Sequence, residues 1–295
     1  MVPFNKGTPL KQTGFTLVEL LVAIATGALL VSAIYSLFIM QNHSYANQNN
    51  VADMQQNVRI AMSVLSSDLR MAGYGFSING TYISPTNTTV YAVTPTNSSI
   101  APDSITIRYG VNGTTLSAAI TNSTGAALQV TGTSGFVSGD FVIISDGQNA
   151  ACLQLNGAPA GNMLPYAATA VNIFPSGGFA AGSNVYVLRQ VSYQVSNNIL
   201  QSRTDNGAWQ NVVNYVEDLQ LAYRGTSTPV GTWVDNPIPV NQTTLNNIQL
   251  NIMSRTGMAD SKFTGQRPAL RDHSAGLSDN FRRRVLTSTV RTRNL

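Results

Sequence analysis

Residues 14–21 read Gly-Phe-Thr-Leu-Val-Glu-Leu-Leu and lead into an uncharged apolar run at residues 20–40. As an α-helix, this run is about 31 Å long at 1.5 Å per residue, and the hydrocarbon core of a bilayer is about 30 Å thick. The preceding residues 1–14 contain Lys6 and Lys11 and no acidic residue. The segment is therefore predicted to cross a membrane once.

Two ordinary explanations leave features of this segment unexplained. A secretory signal peptide has an apolar region of roughly 7–15 residues followed by a small-residue cleavage site, whereas this run is longer and leads into Gln41. A plain signal anchor explains the length, and the basic leader explains the orientation. A signal anchor does not explain Glu19, however, because an acid in an apolar helix is costly and indicates a functional role.

The same residues resemble the type III signal of type IV prepilins and pseudopilins, in which a glycine, an aromatic residue, a hydroxyl residue, Leu-Val and a carboxylate precede a long apolar run. The resemblance implies that a prepilin peptidase cuts between Gly14 and Phe15 and that Phe15 is then N-methylated. It also implies that Glu19 meets the new α-amine of a neighbouring subunit, since both charges are costly in an apolar medium unless they are paired. The alternative for Glu19 is a solvated acid that favours a helix N-terminus.

Hydrophobic spacing predicts that the helix continues beyond the apolar run. After a polar patch at residues 41–50, apolar residues return at steps of three and four, the repeat of one helical face. They are Val51, Met54, Val58, Met62, Leu65 and Leu69. Gly73 and Gly75 end the pattern.

The predicted fold class is α+β: a pilin-like chain in which a long N-terminal transmembrane and stalk helix packs on a large β-rich globular domain. The predicted parts are a basic leader at 1–14 that is cleaved, a helix at 15–72 and a β-rich domain at 73–295 outside the cytoplasm. Within the helix, residues 15–40 span the membrane and residues 41–72 are amphipathic.

Short β-favouring runs alternate with Asn, Gly, Ser and Pro clusters after residue 76, which predicts a β-rich domain, with two sub-sheets as one arrangement. The clearest predicted strands are 104–109, 140–145, 184–195, 212–224, 247–255 and 283–290. Asn197 and Asn198 predict a hairpin turn. The Thr-, Asn- and Ser-rich residues 77–99 predict an exposed loop.

Composition and motifs argue against catalysis and metal binding. The chain has two histidines without ligand spacing and one cysteine, Cys152, which is expected to be a buried small residue. A calcium site at Asp140 and Asp146 is a weak alternative, and Glu217 and Asp218 are expected to face opposite sides of a strand. Because the nucleophile, zinc and nucleotide motifs are absent, we predict no catalytic residue, no metal, no cofactor and no enzyme activity.

Basic residues near the C-terminus suggest a second class of function, ligand binding. Residues 260–295 contain eight Lys or Arg and three Asp. As an adhesin or DNA-binding subunit at a pilus tip, the protein would use arginines as ligand contacts. These are Arg282, Arg283, Arg284, Arg291 and Arg293. The alternative is that the arginines pair locally within the domain.

Three further stretches, at residues 68–75, 215–223 and 279–291, resemble PilW-type minor pilins. The resemblance implies a low-copy structural subunit that primes or caps a type IV pilus, with other minor pilins, the major pilin and the inner-membrane assembly machinery as partners. It implies a single-pass inner-membrane protein with a cytoplasmic N-terminus and a periplasmic C-terminal domain, which then enters the pilus near its tip. A J-type pseudopilin of type II secretion is the alternative with the same architecture.

Overall fold

The computed structural model describes residues 14–225, 232–236, 245–292 and 294. The chain divides into two compact units, Met1–Asn49 and Asn50–Leu295. In the first unit, the described residues form the beginning of a helix, α1, which runs from Leu17 to Met71. Apart from Gly27, every residue from 14 to 46 is exposed.

The part of α1 in the second unit carries the predicted apolar face. Its buried residues are Met54, Val58, Ala61, Met62, Leu65, Ser66 and Leu69. Five of these belong to the predicted stripe, which is therefore confirmed, while Val51 is half-buried. The helix ends where Gly73 and Gly75 follow with φ of 76° and 80°, a left-handed conformation that glycine adopts without steric cost.

Two antiparallel sheets and two short strand pairs form the β-rich part. The nine-stranded sheet contains β1 (Thr81–Ile83), β2 (Thr89–Tyr91), β3 (Val93–Thr96), β4 (Ser104–Thr115), β6 (Phe141–Ser145), β7 (Ala150–Gln154), β9 (Asn184–Ser196), β10 (Ile199–Thr204) and β11 (Gln210–Asn214). The pairing of β1 with β7 is the parallel exception in this sheet. The three-stranded sheet has the order β12 (Val216–Gly225), β13 (Leu245–Arg255) and β16 (Arg283–Arg291). The short pairs are β5 (Ala127–Gln129) with β8 (Met163–Pro165), and β14 (Gly265–Gln266) with β15 (Ser278–Asp279).

The main core joins α1 to both sheets. Leu65 and Leu69 of the helix pack in one cluster with Ile105 and Ile107 of β4 and with buried residues of β12 and β13. Each fully buried aliphatic side chain contributes about 1.5–3 kcal/mol relative to an exposed one. A second core lies beneath β6, β7 and β9 and is closed by aromatic residues of the segment between β4 and β9, Tyr166 and Phe179 among them.

The predicted hairpin at Asn197 and Asn198 is confirmed. Both residues have positive φ, 52° and 59°, and they connect Ser196 to Ile199, which face each other across β9 and β10. Positive φ at both central positions is the type I′ geometry, which matches the twist of the flanking strands.

Two predictions about where strands lie are wrong. Residues 77–99 are not an exposed loop, because they contain β1, β2 and β3 and bury Tyr82 and Val93. The predicted single strand at 212–224 is divided between two sheets. Tyr215 has a φ of 62° and separates β11, in the large sheet, from β12, in the small one. Its carbonyl accepts hydrogen bonds from the Ser254 hydroxyl and the Arg255 amide.

Candidate functional site

The start of α1 places the predicted processing residues in the open. Phe15 is 90% exposed, and a Cβ added to Gly14 would have no neighbour within 4 Å. A peptidase that cuts between these residues therefore meets no obstruction from the described part of the chain.

Thr16 and Glu19 form a capping box at this helix end. The Glu19 Oε2 accepts hydrogen bonds from the Thr16 amide at 2.9 Å and the Thr16 hydroxyl at 3.0 Å. The Glu19 amide in turn donates to Thr16 Oγ1 at 3.3 Å. Such a reciprocal pair satisfies backbone N–H groups that the first helical turn leaves unbonded. The alternative prediction for Glu19 was a role at the helix N-terminus, but it missed the reciprocal bonding with Thr16 that the Thr-x-x-Glu spacing indicates.

The apolar first part of α1 has no covering surface among the described residues. Large hydrophobic side chains around the whole circumference are exposed, from Leu17 at 79% to Met40 at 61%. By length and composition the helix is able to cross a membrane. A helix that is apolar on all sides is stable in a bilayer or a helical bundle rather than in water.

The structure separates the candidate arginines into paired and unpaired residues. Arg282 donates to Asp260 Oδ2 at 2.9 Å and lies over the Phe263 ring. Arg283, whose side chain is 7% exposed, donates to Glu217 Oε2 at 2.6 Å and to Asp279 Oδ2 at 2.5 Å. The Arg283 guanidinium is thus enclosed by its two carboxylate partners, whereas the Arg282 side chain is paired but remains 43% exposed.

Arg284 and Arg291 are exposed, and neither has an ion pair among the described residues. They belong to opposite faces of β16, since they are seven positions apart in a strand with a two-residue repeat. Arg293 lies outside the described residues. The four described arginines are thus divided between residues held in ion pairs and residues on opposite faces of the strand.

Glu217 and Asp218 act on the same partner, contrary to the prediction from strand alternation. The pairing of β12 with β13 skips Glu217, so that Val216 faces Ser254 and Asp218 faces Met253. This β-bulge turns both carboxylates to Arg267, which contacts Glu217 at 3.4 Å and Asp218 at 2.5 Å.

Further bonds join this buried cluster to the loop that precedes β16. His273 Nδ1 lies 2.9 Å from Asp218 Oδ2. The hydrogen bond from Arg283 lowers the pKa of Asp279 to about 2. Bonds of this kind between charged groups hold a loop in place, so we assign the cluster a structural role. Arg267 and His273 are far from Asp218 in sequence, and no local signal indicated the contact.

The two aspartates considered for a calcium site accept hydrogen bonds from backbone amides of their own loops. Asp140 accepts a hydrogen bond from the Val137 amide, and Asp146 accepts from the amides of Gln148 and Asn149. In the described residues, no group of three or more His, Cys, Asp or Glu side chains is placed to hold a metal ion. Cys152 is 1% exposed, and burial raises the pKa of its thiol.

Comparison with known proteins supports the N-terminal assignment. Residues 9–35 match the prokaryotic N-terminal methylation motif. The matched residues include Gly14, Phe15 and Glu19 and the first half of the apolar run.

Comparisons beyond the motif are weaker. No curated protein sequence matches the chain significantly. Among solved structures, a type IV-like pilin from Thermus thermophilus is similar, with 13% sequence identity and a TM-score of 0.41 over 82% of this chain and 96% of the other.

Proposed function

We propose that this protein is a minor type IV pilin of the PilW type, a structural subunit that primes or caps the pilus together with other minor pilins. The observation that carries the proposal is the methylation motif at residues 9–35, because it coincides with the exposed start of an apolar helix long enough to span a membrane. The chain would insert with its N-terminus in the cytoplasm and its β-rich domain in the periplasm, in line with the positively charged leader.

In this proposal, the prepilin peptidase removes residues 1–14, and Phe15 becomes the methylated N-terminus of a helix at 15–72. The apolar side chains of residues 20–40 then leave the bilayer and pack against the helices of other subunits. Because one kind of apolar surface replaces another, hydrophobic burial alone does not fix the register between helices. Glu19 would fix the register by pairing with the α-amine of a neighbouring subunit, since both charges lie in an apolar medium.

The capping box adds a competing partner for this carboxylate. Before assembly, Glu19 is held by the Thr16 amide and hydroxyl. These bonds reduce the cost of the charge at the membrane surface. On assembly, the neighbouring amine would share or replace them.

The first experiment is N-terminal peptide and intact-mass spectrometry of the protein from the membranes and sheared pili of its own host. We expect a mature chain that begins at N-methylated Phe15 and occurs at low abundance in the sheared fraction. An unprocessed chain confined to the membrane would overturn the proposal. A processed chain that is absent from sheared pili would instead indicate a pseudopilin.

A matched pair of variants separates the charge of Glu19 from its capping role. In Glu19→Gln, the side chain can still accept from the Thr16 amide, since glutamine also completes a capping box. We expect this variant to be processed but lost from sheared pili. Thr16→Ala keeps the charge and removes the cap, at a cost of about 1 kcal/mol of helix stability, so we expect it to assemble. Loss of assembly in Thr16→Ala but not in Glu19→Gln would contradict the pairing role.

A further inference from the structure

The outer edge of β16 is an open strand edge nine residues long. β16 lies at the end of the three-stranded sheet and pairs with β13 through nine successive residues without a register shift. It contains no proline or glycine and is rich in valine and threonine, residues that favour strands. Such an edge is a template for pairing with another chain.

The other sheet edges in the described part of the chain are short or covered. In the large sheet, the edge strands β2 and β11 have three and five residues, and β3 contains Pro95. The free edge of β12 is covered, because Asp103 bonds the Leu219 carbonyl and the Leu221 amide and Tyr223 pairs with Val234. Natural sheets protect their edges in these ways. β16 has neither a bulge nor a covering segment among the described residues.

The flanking hydrogen bonds show which backbone groups of β16 point outward. The Thr292 amide donates to the Asn246 carbonyl and the Thr256 amide to the Arg282 carbonyl, and these two pairs continue the register of β13 and β16 by one position at each end. Hydrogen-bonded and non-bonded pairs alternate in an antiparallel ladder. Even-numbered residues of β16 therefore bond β13, and odd-numbered residues point their N–H and C=O groups outward. These are Arg283, Val285, Thr287, Thr289 and Arg291.

The arginines of β16 indicate which kind of strand would pair with its open edge. Arg284 and Arg291 stand near the two ends of the strand and are exposed. Antiparallel pairing of two copies over the full strand would set Arg283 of one copy opposite Arg291 of the other, and Arg284 opposite Val290. The Arg283 charge is already balanced by Glu217 and Asp279, so a second copy places no carboxylate opposite Arg284 or Arg291. A strand with carboxylates near its ends would be attracted to the same positions.

We propose that β16 accepts a strand from a different protein, which has Asp or Glu near both ends and extends the three-stranded sheet to four strands. Main-chain hydrogen bonds to the five outward residues would supply affinity, and the terminal arginines would select the acidic partner. This inference rests on the sheet alone and holds whether or not the protein assembles into a pilus.

The test is residue-resolved hydrogen exchange of the full-length chain in detergent micelles. The probes are two nine-residue peptides of alternating valine and threonine, one with an aspartate and the other with a lysine at each end. In the free chain, the amides of Val285, Thr287 and Thr289 should exchange rapidly. The aspartate peptide should slow their exchange by at least about tenfold, and the lysine peptide should leave it unchanged.

Variants at Thr289 give matched controls. Thr289→Pro removes an outward N–H but no bond to β13, whereas Thr289→Val keeps the N–H and the branched shape. We expect the first variant to abolish the protection by the aspartate peptide and the second to retain it. Reversal of both charges, Arg284→Glu with Arg291→Glu, should transfer the effect to the lysine peptide.

Four results would overturn the inference. Two concern the free chain: the outward amides already exchange slowly, or their exchange slows as the protein concentration alone rises. Two concern the peptides: both or neither of them slow the exchange, or the aspartate peptide acts equally on the two Thr289 variants. The first of these four results would show that another segment of this chain covers the edge, and the second that another copy of the chain does.

Discussion

Replacement of Arg283 by alanine should destabilise the β-rich unit, while the same change at the neighbouring Arg284 should not. The Arg283 side chain is 7% exposed and donates to both oxygens of Glu217, at 2.6 and 3.1 Å, as well as to Asp279. Arg284 is exposed and has no ion pair among the described residues. The two positions share one strand and one residue type, so they form a matched pair.

The expected loss of stability depends on how well Glu217 and Asp279 are still paired or hydrated once the Arg283 guanidinium is removed. Removing one partner of a buried ion pair costs about 3–5 kcal/mol, because the other charge stays buried. Here Asp279 is 35% exposed and can be hydrated, and Glu217 keeps Arg267 at 3.4 Å. We therefore expect the lower end, about 3 kcal/mol for Arg283→Ala, and at most about 0.5 kcal/mol for Arg284→Ala. Out of a total stability of about 5–15 kcal/mol, the first loss is readily measured.

The assay is guanidinium unfolding of the full-length protein in detergent micelles, followed by the fluorescence of Trp209 and Trp233, together with DNA affinity at several salt concentrations. Equal stability of the two variants would refute the assignment of Arg283 to a structural cluster. A loss of DNA affinity and a flatter salt dependence in Arg283→Ala, with unchanged stability, would favour the ligand-binding hypothesis instead.

Two further predictions concern stability. Burial raises the pKa of Asp103 to about 7, so the folded chain holds a proton that the unfolded chain, with an ordinary value near 3.9, has released. Stability should therefore fall as the pH rises from about 4 to 7, and Asp103→Asn should flatten this dependence in urea-unfolding midpoints. Gly178→Ala should destabilise the chain by more than Gly177→Ala in thermal unfolding. Both glycines have positive φ, but the new Cβ at 178 would lie 2.0 Å from the Ile120 carbonyl oxygen, whereas the new Cβ at 177 would meet nothing within 4 Å. Equal losses at the two glycines would contradict the clash.

Features that depend on local sequence were predictable. The apolar face of α1 follows from steps of three and four residues, and the ends of the helix follow from Gly73 and the apolar run. The Asn197–Asn198 hairpin follows from the tolerance of asparagine for positive φ. Each of these is fixed by residues within a few positions of one another, so that tertiary contacts reinforce a preference that already exists.

Features that depend on strand pairing were not predictable in the same way. Nothing in residues 212–224 marks Tyr215 as the point where the chain leaves one sheet for another, because the run is β-favouring throughout. The location depends on bonds from Ser254 and Arg255 to its carbonyl, about forty residues away. Residues 77–99 were mistaken for a loop for a related reason: each of their strands is three or four residues long and is stabilised by its neighbours.

The C-terminal charge shows why a count of arginines did not indicate their use. The bulge at Glu217 turns a carboxylate that alternation would place elsewhere towards Arg283 and Arg267. Arg283 is thereby committed to the fold. Arg284, one position along and facing the other way, stays exposed at the end of an open edge. One extra residue in β12 therefore decides which positive charges remain available to a partner. A partner that bound these charges would be selected by the register of the sheet rather than by the net charge of the C-terminal residues.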